Sequence, residues 1–235
     1  MKKNIIVTGA SRGIGYELVK FYVRNGHRVI ALSRSEEGLY RLSQDCLSEN
    51  NDASIETISF DLAKGDYSEK LSPMILQHFT SVDILINNAG NLTVKPFPDL
   101  RESELERMFQ VNVFSVFKTI QILLPYFSKE AHIINISSVG GLQGSLKFPG
   151  LSAYSSSKAA LISLTECLAE EFKDRSWVFN CLALGAVQTE MLAEAFPGYQ
   201  APVSAKEMAN YIADFSFNGS KFYKGKILNV SSSTP

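Results

Sequence analysis

Seven short apolar runs punctuate this chain, and most are continuously apolar rather than alternating in polarity. They span residues 4–8, 28–33, 54–60, 82–87, 131–137, 177–183 and 226–230. A strand that turns apolar side chains to both faces must be covered on both faces. That is the condition of a parallel sheet held between two helical layers. Helical periodicity fills the intervals, over about 13–25, 36–49, 66–79, 102–127, 153–173 and 205–217. Strand and helix alternate over the whole length, with no repeat, low-complexity tract or linker. The expectation is therefore one α/β domain, residues 1–235. It would have a doubly wound (Rossmann) parallel sheet of about seven strands, helices on both faces and right-handed crossovers.

The composition excludes several functions. Net charge is -1, so no basic excess points to nucleic acid. The three cysteines, Cys46, Cys167 and Cys181, have no metal-type spacing, and no metal is expected. Scattered thiols suit a reducing compartment, and a cytoplasmic location is the expectation. The apolar core of the opening stretch, Ile5-Ile6-Val7, is short for a signal peptide and reads as a first strand. No apolar run looks long enough to span a bilayer.

In an open parallel sheet, ligands sit beyond the carboxyl ends of the strands. Three long loops fall there, about 91–101, 139–153 and 185–204, and are expected to line a substrate pocket. After the first strand comes Thr8-Gly9-Ala10-Ser11-Arg12-Gly13-Ile14-Gly15. Its glycines allow a tight turn and close backbone approach, and the helix start offers free N–H groups to a pyrophosphate. The second strand ends Leu32-Ser33-Arg34, with no carboxylate to take the ribose hydroxyls of NAD. Arg12 and Arg34 would instead suit a 2′-phosphate, because guanidinium presents a planar fork to phosphate oxygens. NADP(H) is the expected cofactor, with NAD(H) the weaker alternative.

Tyr154 and Lys158 stand four apart on one helix face. The spacing alone is weak, since Tyr16 and Lys20 share it. Context separates the two pairs. The strand before Tyr154 ends in Ser137-Ser138 at the ligand edge, while Tyr16 follows no polar strand end. A neighbouring ammonium should lower the phenol's pKa and let it exchange a proton with a carbonyl or alcohol oxygen. Either serine could hold that oxygen, but alternation along a strand lets only one face the site.

With these residues in view, the chain resembles the short-chain dehydrogenase/reductase family, of the classical type. The likeness runs from Thr8-Gly9 through Gly225-Lys226. Its landmarks are the Thr8–Gly15 turn, Asp61-Leu62, Asn87-Asn88-Ala89-Gly90, Asn112, Asn135-Ile136-Ser137-Ser138, Tyr154-x-x-x-Lys158 and Thr189. The resemblance implies Tyr154 as general acid/base and Ser138, rather than Ser137, as the residue orienting the substrate oxygen. Lys158 would grip the nicotinamide ribose, and Asn112 would support a proton relay. Asp61 and Leu62 would meet the adenine, and Asn88 and Gly90 would line the cofactor's path. Val187 and Thr189 would contact the carboxamide. Gly9, Ser11, Arg12, Ile14 and Gly15 would form the phosphate end, where Arg12 matches a basic residue of NADP-preferring members.

The implied activity is hydride transfer between NADP(H) and a small carbonyl or alcohol. A non-catalytic NADP(H) sensor on the same fold is the alternative. The family also pairs helices four and five between subunits, which implies a homodimer or homotetramer. Helix four, apolar nearly all round, is consistent with that. The chain departs from the family in Leu184-Gly185, where a proline usually precedes the glycine, and in a short stretch after Thr189. Phe97, Met108, Leu142, Phe148, Met191, Leu192, Phe196 and Tyr199 suggest an apolar or aromatic substrate.

Overall fold

The structure, a computed structural model, describes residues 2–231. In chain order it begins β1 (Asn4–Thr8), α1 (Gly13–Arg24), β2 (Arg28–Ser33), α2 (Glu36–Glu49) and β3 (Ile55–Ser59). There follow α3 (Ser72–Leu76), β4 (Val82–Asn87), α4 (Glu102–Phe109), α5 (Ser115–Leu123), β5 (Phe127–Ser138) and α6 (Ser152–Glu171). The chain ends with β6 (Val178–Leu184), β7 (Val187–Gln188), α7 (Glu190–Ala195), β8 (Val203–Ser204), α8 (Ala205–Asn218) and β9 (Ile227–Val230). Seven strands form one parallel sheet in the order β3-β2-β1-β4-β5-β6-β9. The order reverses between β1 and β4, which places a crevice at their carboxyl ends.

Alternation along β1 sorts the core into two layers. Ile5 and Val7 pack with Leu18, Val19 and Tyr22 of α1 and Ile212 of α8. Ile6, on the opposite face, packs with Val116 and Ile120 of α5 and Leu161 of α6. Both faces are therefore buried, as the continuously apolar strands require.

The expected single helix over 102–127 is not uniform. A π-helical turn, Gln110–Phe114, joins α4 to α5, and a 3-10 turn, Leu124–Tyr126, ends the run. Pro125 has no N–H to give the Gln121 carbonyl, so the α-helix cannot continue past it. Phe127 already pairs with Val82 as the start of β5. By length and composition, Glu102–Tyr126 could cross a bilayer, with a mean hydropathy of 1.2 over its most apolar stretch. That corrects the expectation that no run is long enough. Its apolar residues Val116, Ile120 and Leu123 lie against the sheet as core. Phe114 and Phe117 on the same run are exposed.

The region 185–204 is not bare loop. It holds α7 and the two-stranded β7–β8 pairing, Val187 opposite Val203 and Gln188 opposite Ser204. None of the six residues of α7 is buried.

Candidate active site

The glycine turn begins where β1 meets the sheet edge. Gly9 and Gly13 have φ of 70° and 59°, which suit residues without a β-carbon. A β-carbon at Gly9 would lie 2.7 Å from the Ala89 backbone. Asn88 closes the turn from β4, its Nδ2 donating to the Thr8 carbonyl at 3.0 Å and its N–H to Thr8 Oγ1 at 3.0 Å. The N-terminus of α1 has no side-chain cap and no acidic residue in its first turn. Its N–H groups remain available to an anion.

A cleft of about 450 Å3 opens beyond this turn. Gly9, Ser11, Arg12, Ile14, Arg34, Asp61, Leu62, Asn88, Gly90, Ser138, Tyr154, Lys158, Val187 and Thr189 all line it. Gly90 sits next to Lys158, and Gly13 of the turn next to Thr189. Two expected residues stand behind the wall instead. Gly15 is buried under the turn, where a β-carbon would sit 2.3 Å from the Gly9 carbonyl. Asn112, fully buried on the π turn, accepts from the Asn91 N–H at 2.7 Å. It donates to the Asn91 carbonyl and to Ser157 Oγ, both at 2.9 Å. Both its donors are spent on tying the loop after β4 to α6. π turns recur at functional sites because they re-aim a side chain locally.

The two serines at the end of β5 part company as alternation requires. Ser137 Oγ is buried and donates to the Lys158 carbonyl at 2.9 Å, holding strand to helix. Ser138 stands beside the Tyr154 phenol and draws its pKa down in part. The Ser138 hydroxyl also accepts from the Gly140 N–H at 3.2 Å, which fixes its rotamer.

The phenol does not behave as its lysine neighbour suggested. Burial outweighs every other influence and pushes the Tyr154 pKa up to about 12. Lys158 Nζ donates to the Ile136 carbonyl at 2.8 Å and lies 5.8 Å from the phenol ring centre. Its own burial brings its pKa down to about 8. Lys158, engaged at the Ile136 carbonyl, does not offset that burial, so the expected lowering is corrected to a rise.

At the far end, Ser33 Oγ donates to Ser11 Oγ at 2.8 Å beside Arg34. Sequence reading missed Ser33, since a lone serine at a strand tip carries no signal of its own. It also missed Glu194. From α7, this residue receives both ends of the Arg12 guanidinium, at 2.5 and 3.3 Å. No local pattern joins residues 182 positions apart. Asp61 holds its own turn, accepting from the Ala63 N–H at 2.9 Å, while still facing the cleft. Leu184 remains in strand, paired with Ser138 on one side and Val230 on the other.

All three long loops reach the cleft, through Asn91 and Leu92, Phe148 and Leu151, and Phe196 and Tyr199. Met191 and Leu192 also line it. Three expected apolar contacts do not. Met108 is fully buried in α4, Phe97 faces solvent, and Leu142 is outside the lining.

A glycine turn at the switch point, with a Ser-Tyr-Lys group across the cleft, defines an oxidoreductase of the nucleotide-binding α/β class. A family model described as short chain dehydrogenase matches residues 3–200. The chain belongs to the short-chain dehydrogenase family. Carbonyl reductase (NADPH) 2 of Sus scrofa is 35% identical over 186 residues, covering 79% of this chain and 72% of that protein. The 3-oxoacyl-(acyl-carrier-protein) reductase of Escherichia coli strain K12 is 29% identical over 241 residues, 97% of this chain and 96% of its own. A short chain dehydrogenase structure from Shigella flexneri, complexed with NADP, superposes with a TM-score of 0.89 at 28% identity. It covers 97% of this chain and 96% of its own.

Proposed function

We propose that this protein is an NADPH-dependent reductase that converts a small carbonyl compound to its alcohol, with Tyr154 as proton donor. The fit to NADP(H) rests on the uncapped start of α1, the crowded glycine turn, and the arginines at 12 and 34 beside a strand tip without a carboxylate. NADP- and NADPH-complexed structural relatives support the same reading. Bound NADPH supplies the hydride.

The observation that carries the proposal is the Tyr154 phenol, raised to about 12, beside Ser138 and in the cleft wall with Lys158. At neutral pH such a phenol keeps its proton. It can give that proton to the oxygen of a carbonyl being reduced, because a forming alkoxide is the stronger base. Ser138 donates to the same oxygen and fixes its position. Lys158, near half-protonated at pH 8, can resupply the proton. The 91–112–157 hydrogen bonds around Asn112 keep the wall behind it rigid. Asp61 and Leu62 face the adenine end, and Val187 and Thr189 the carboxamide end. Loops 91–101, 139–153 and 185–204 shape the substrate end. Two copies pair through the exposed Phe114 and Phe117 on the α4–α5 run together with α6, in a homodimer or homotetramer. The setting is cytoplasmic.

Tyr154→Phe tests the reading. NADPH consumption at 340 nm should fall about 10²- to 10⁴-fold, the usual worth of a positioned general acid. Calorimetric NADPH binding should stay within about twofold. Full turnover in the variant would remove Tyr154 from the chemistry, and a wild type that binds NADPH without reducing any carbonyl would favour a sensor.

A further inference from the structure

The carboxylate, ammonium and guanidinium side chains on the cleft wall are Arg12, Arg34, Asp61, Arg107, Lys158 and Glu190. Three of them are engaged within the protein. Arg12 is held by Glu194, Lys158 by the Ile136 carbonyl, and Asp61 by the Ala63 N–H. Among the described residues, neither Arg34 nor Arg107 forms an ion pair or a side-chain hydrogen bond. Arg34 lies with Ser11 and Ser33 at the adenosine end, where a 2′-phosphate accounts for it. Arg107 lies on the helical run that continues into the turn of Asn112, which holds the Asn91 backbone. It is half-buried on α4, one turn before Val111, and shares the wall with Asn91, Leu92 and Phe148.

A guanidinium brought out of water with no partner is costly, and its usual remedy is a carboxylate within reach. The adjacent turn does carry one, Glu104. It is already shared between Lys95 Nζ at 2.8 Å and Arg101 Nη2 at 2.8 Å. Those two cations hold its pKa down to about 2, so it stays charged and committed. Lys95 and Arg101 therefore take up Glu104, and Arg107 on the cleft wall is left without a carboxylate partner.

Resting on the reductase reading above, we propose that Arg107 is a specificity residue that binds an oxyanion on the substrate. The natural substrate is then a carbonyl compound that also carries a carboxylate or phosphate. The apolar residues Leu92, Phe148, Leu151 and Met191 receive its carbon frame. Arg107 gives a planar two-point contact to the anionic group, which a lysine could not reproduce. The fork would make the site select for charge as well as shape.

Matched pairs test this directly. Wild-type kcat/KM is measured for 4-carboxybenzaldehyde against its methyl ester, and for dihydroxyacetone phosphate against dihydroxyacetone, with NADPH as reductant. The expected result is a preference for at least one charged partner, the pair showing it identifying carboxylate or phosphate. In Arg107→Leu that charged-over-neutral ratio should fall about 10- to 100-fold. Arg107→Lys should give an intermediate ratio. Calorimetric titration of the NADP⁺-loaded protein with benzoate or inorganic phosphate should lose its binding signal in Arg107→Leu. A wild type that reduces the neutral members without preferring the charged ones would overturn the inference and leave the reductase standing. A ratio unchanged in Arg107→Leu would overturn it as well. A wild type that reduces other carbonyls but neither charged member would overturn this inference alone, and one that binds NADPH and reduces no carbonyl at all would take the reductase reading with it.

Discussion

A β-carbon added to Gly15, beneath the glycine turn, would stand 2.3 Å from the Gly9 carbonyl. One added to Gly198, beside the substrate loops, would meet nothing within 4 Å. The two ends of the cleft are made differently. The nucleotide end is backbone nested on backbone, with Asn88 stitched to Thr8 and Gly9. The segment after Thr189 is one six-residue helix with no buried side chain, anchored through two two-residue strands and the bond from Ala201 N–H to Gln188 Oε1 at 2.8 Å. A shape fixed by backbone packing can bind only one kind of ligand. A segment with so little burial can change its sequence, and so its substrate, at small cost to the fold.

The largest expected effect comes from crowding the rigid end. In Gly15→Ala the new methyl has only backbone and Asn88 Nδ2, 2.6 Å away, to push against. NADPH affinity should fall more than about 100-fold and stability by about 1–3 kcal/mol, the usual cost of overpacking. Gly198→Ala is the control. It has φ of 85°, so alanine there is strained by about 1 kcal/mol. Cofactor affinity should be untouched. Calorimetric titration and thermal melts of the two variants separate packing from strain, and equal loss of NADPH binding in both would erase the contrast drawn here.

The same division governs what could be read from the sequence. The inner strands were legible because both faces of the sheet are buried there, so their runs are largely apolar; the edge strand β3, with Glu56, Thr57 and Ser59 exposed, is not. The glycine turn was legible because φ near +60° at Gly13 and backbone contact at Gly9 leave glycine as the residue that fits. The choice between Ser137 and Ser138 needed only the two-residue period of a strand and the family likeness. By contrast, α7 and the β7–β8 pair were invisible, since elements of two to six residues carry no periodicity. The π turn at Asn112 was hidden because its apolar pattern continues that of the flanking helices. The direction of the Tyr154 shift was misread for a related reason. Spacing announces the lysine, but desolvation depends on everything packed around the phenol.

Lys158 lies between the two ends, and its burial makes a measurable pH signature. Its pKa falls from about 10.5 in the unfolded chain to about 8 in the fold. Below pH 8 both states hold the proton and the full penalty of a buried charge applies. Between pH 8 and 10.5 the unfolded chain binds more protons, so this group's contribution to stability rises with pH. Several buried tyrosines and cysteines, among them Tyr22 and Cys181, have raised pKa values and work in the opposite sense above pH 9. The difference between wild type and Lys158→Met cancels those that Lys158 does not touch, while Cys181, whose thiol feels the Lys158 charge, is read together with it. Urea unfolding at pH 7.5 and 9.5 should show wild type gaining on the variant as pH rises. A constant difference would mean that Lys158 keeps its ordinary pKa, and the rigid wall would then be wetter than its packing implies.

The smallest expected effect lies where the two ends touch. Arg12 belongs to the glycine turn, Glu194 to α7, and their ion pair joins them. Both side chains are about half exposed, at 47% and 62%, so the pair itself contributes little to stability. Its consequence for binding is more specific. On the proposed reading, a 2′-phosphate and the Glu194 carboxylate would compete for the same guanidinium, while a cofactor without that phosphate would not enter the competition. Glu194→Gln removes the competitor and leaves the side-chain volume nearly unchanged. NADPH should bind about 2- to 5-fold more tightly, NADH should bind as before, and the NADPH gain should shrink in high salt. Equal tightening of both cofactors would instead mean that Glu194 acts through the position of α7. The rigid and the adaptable ends would then be coupled by packing rather than by charge.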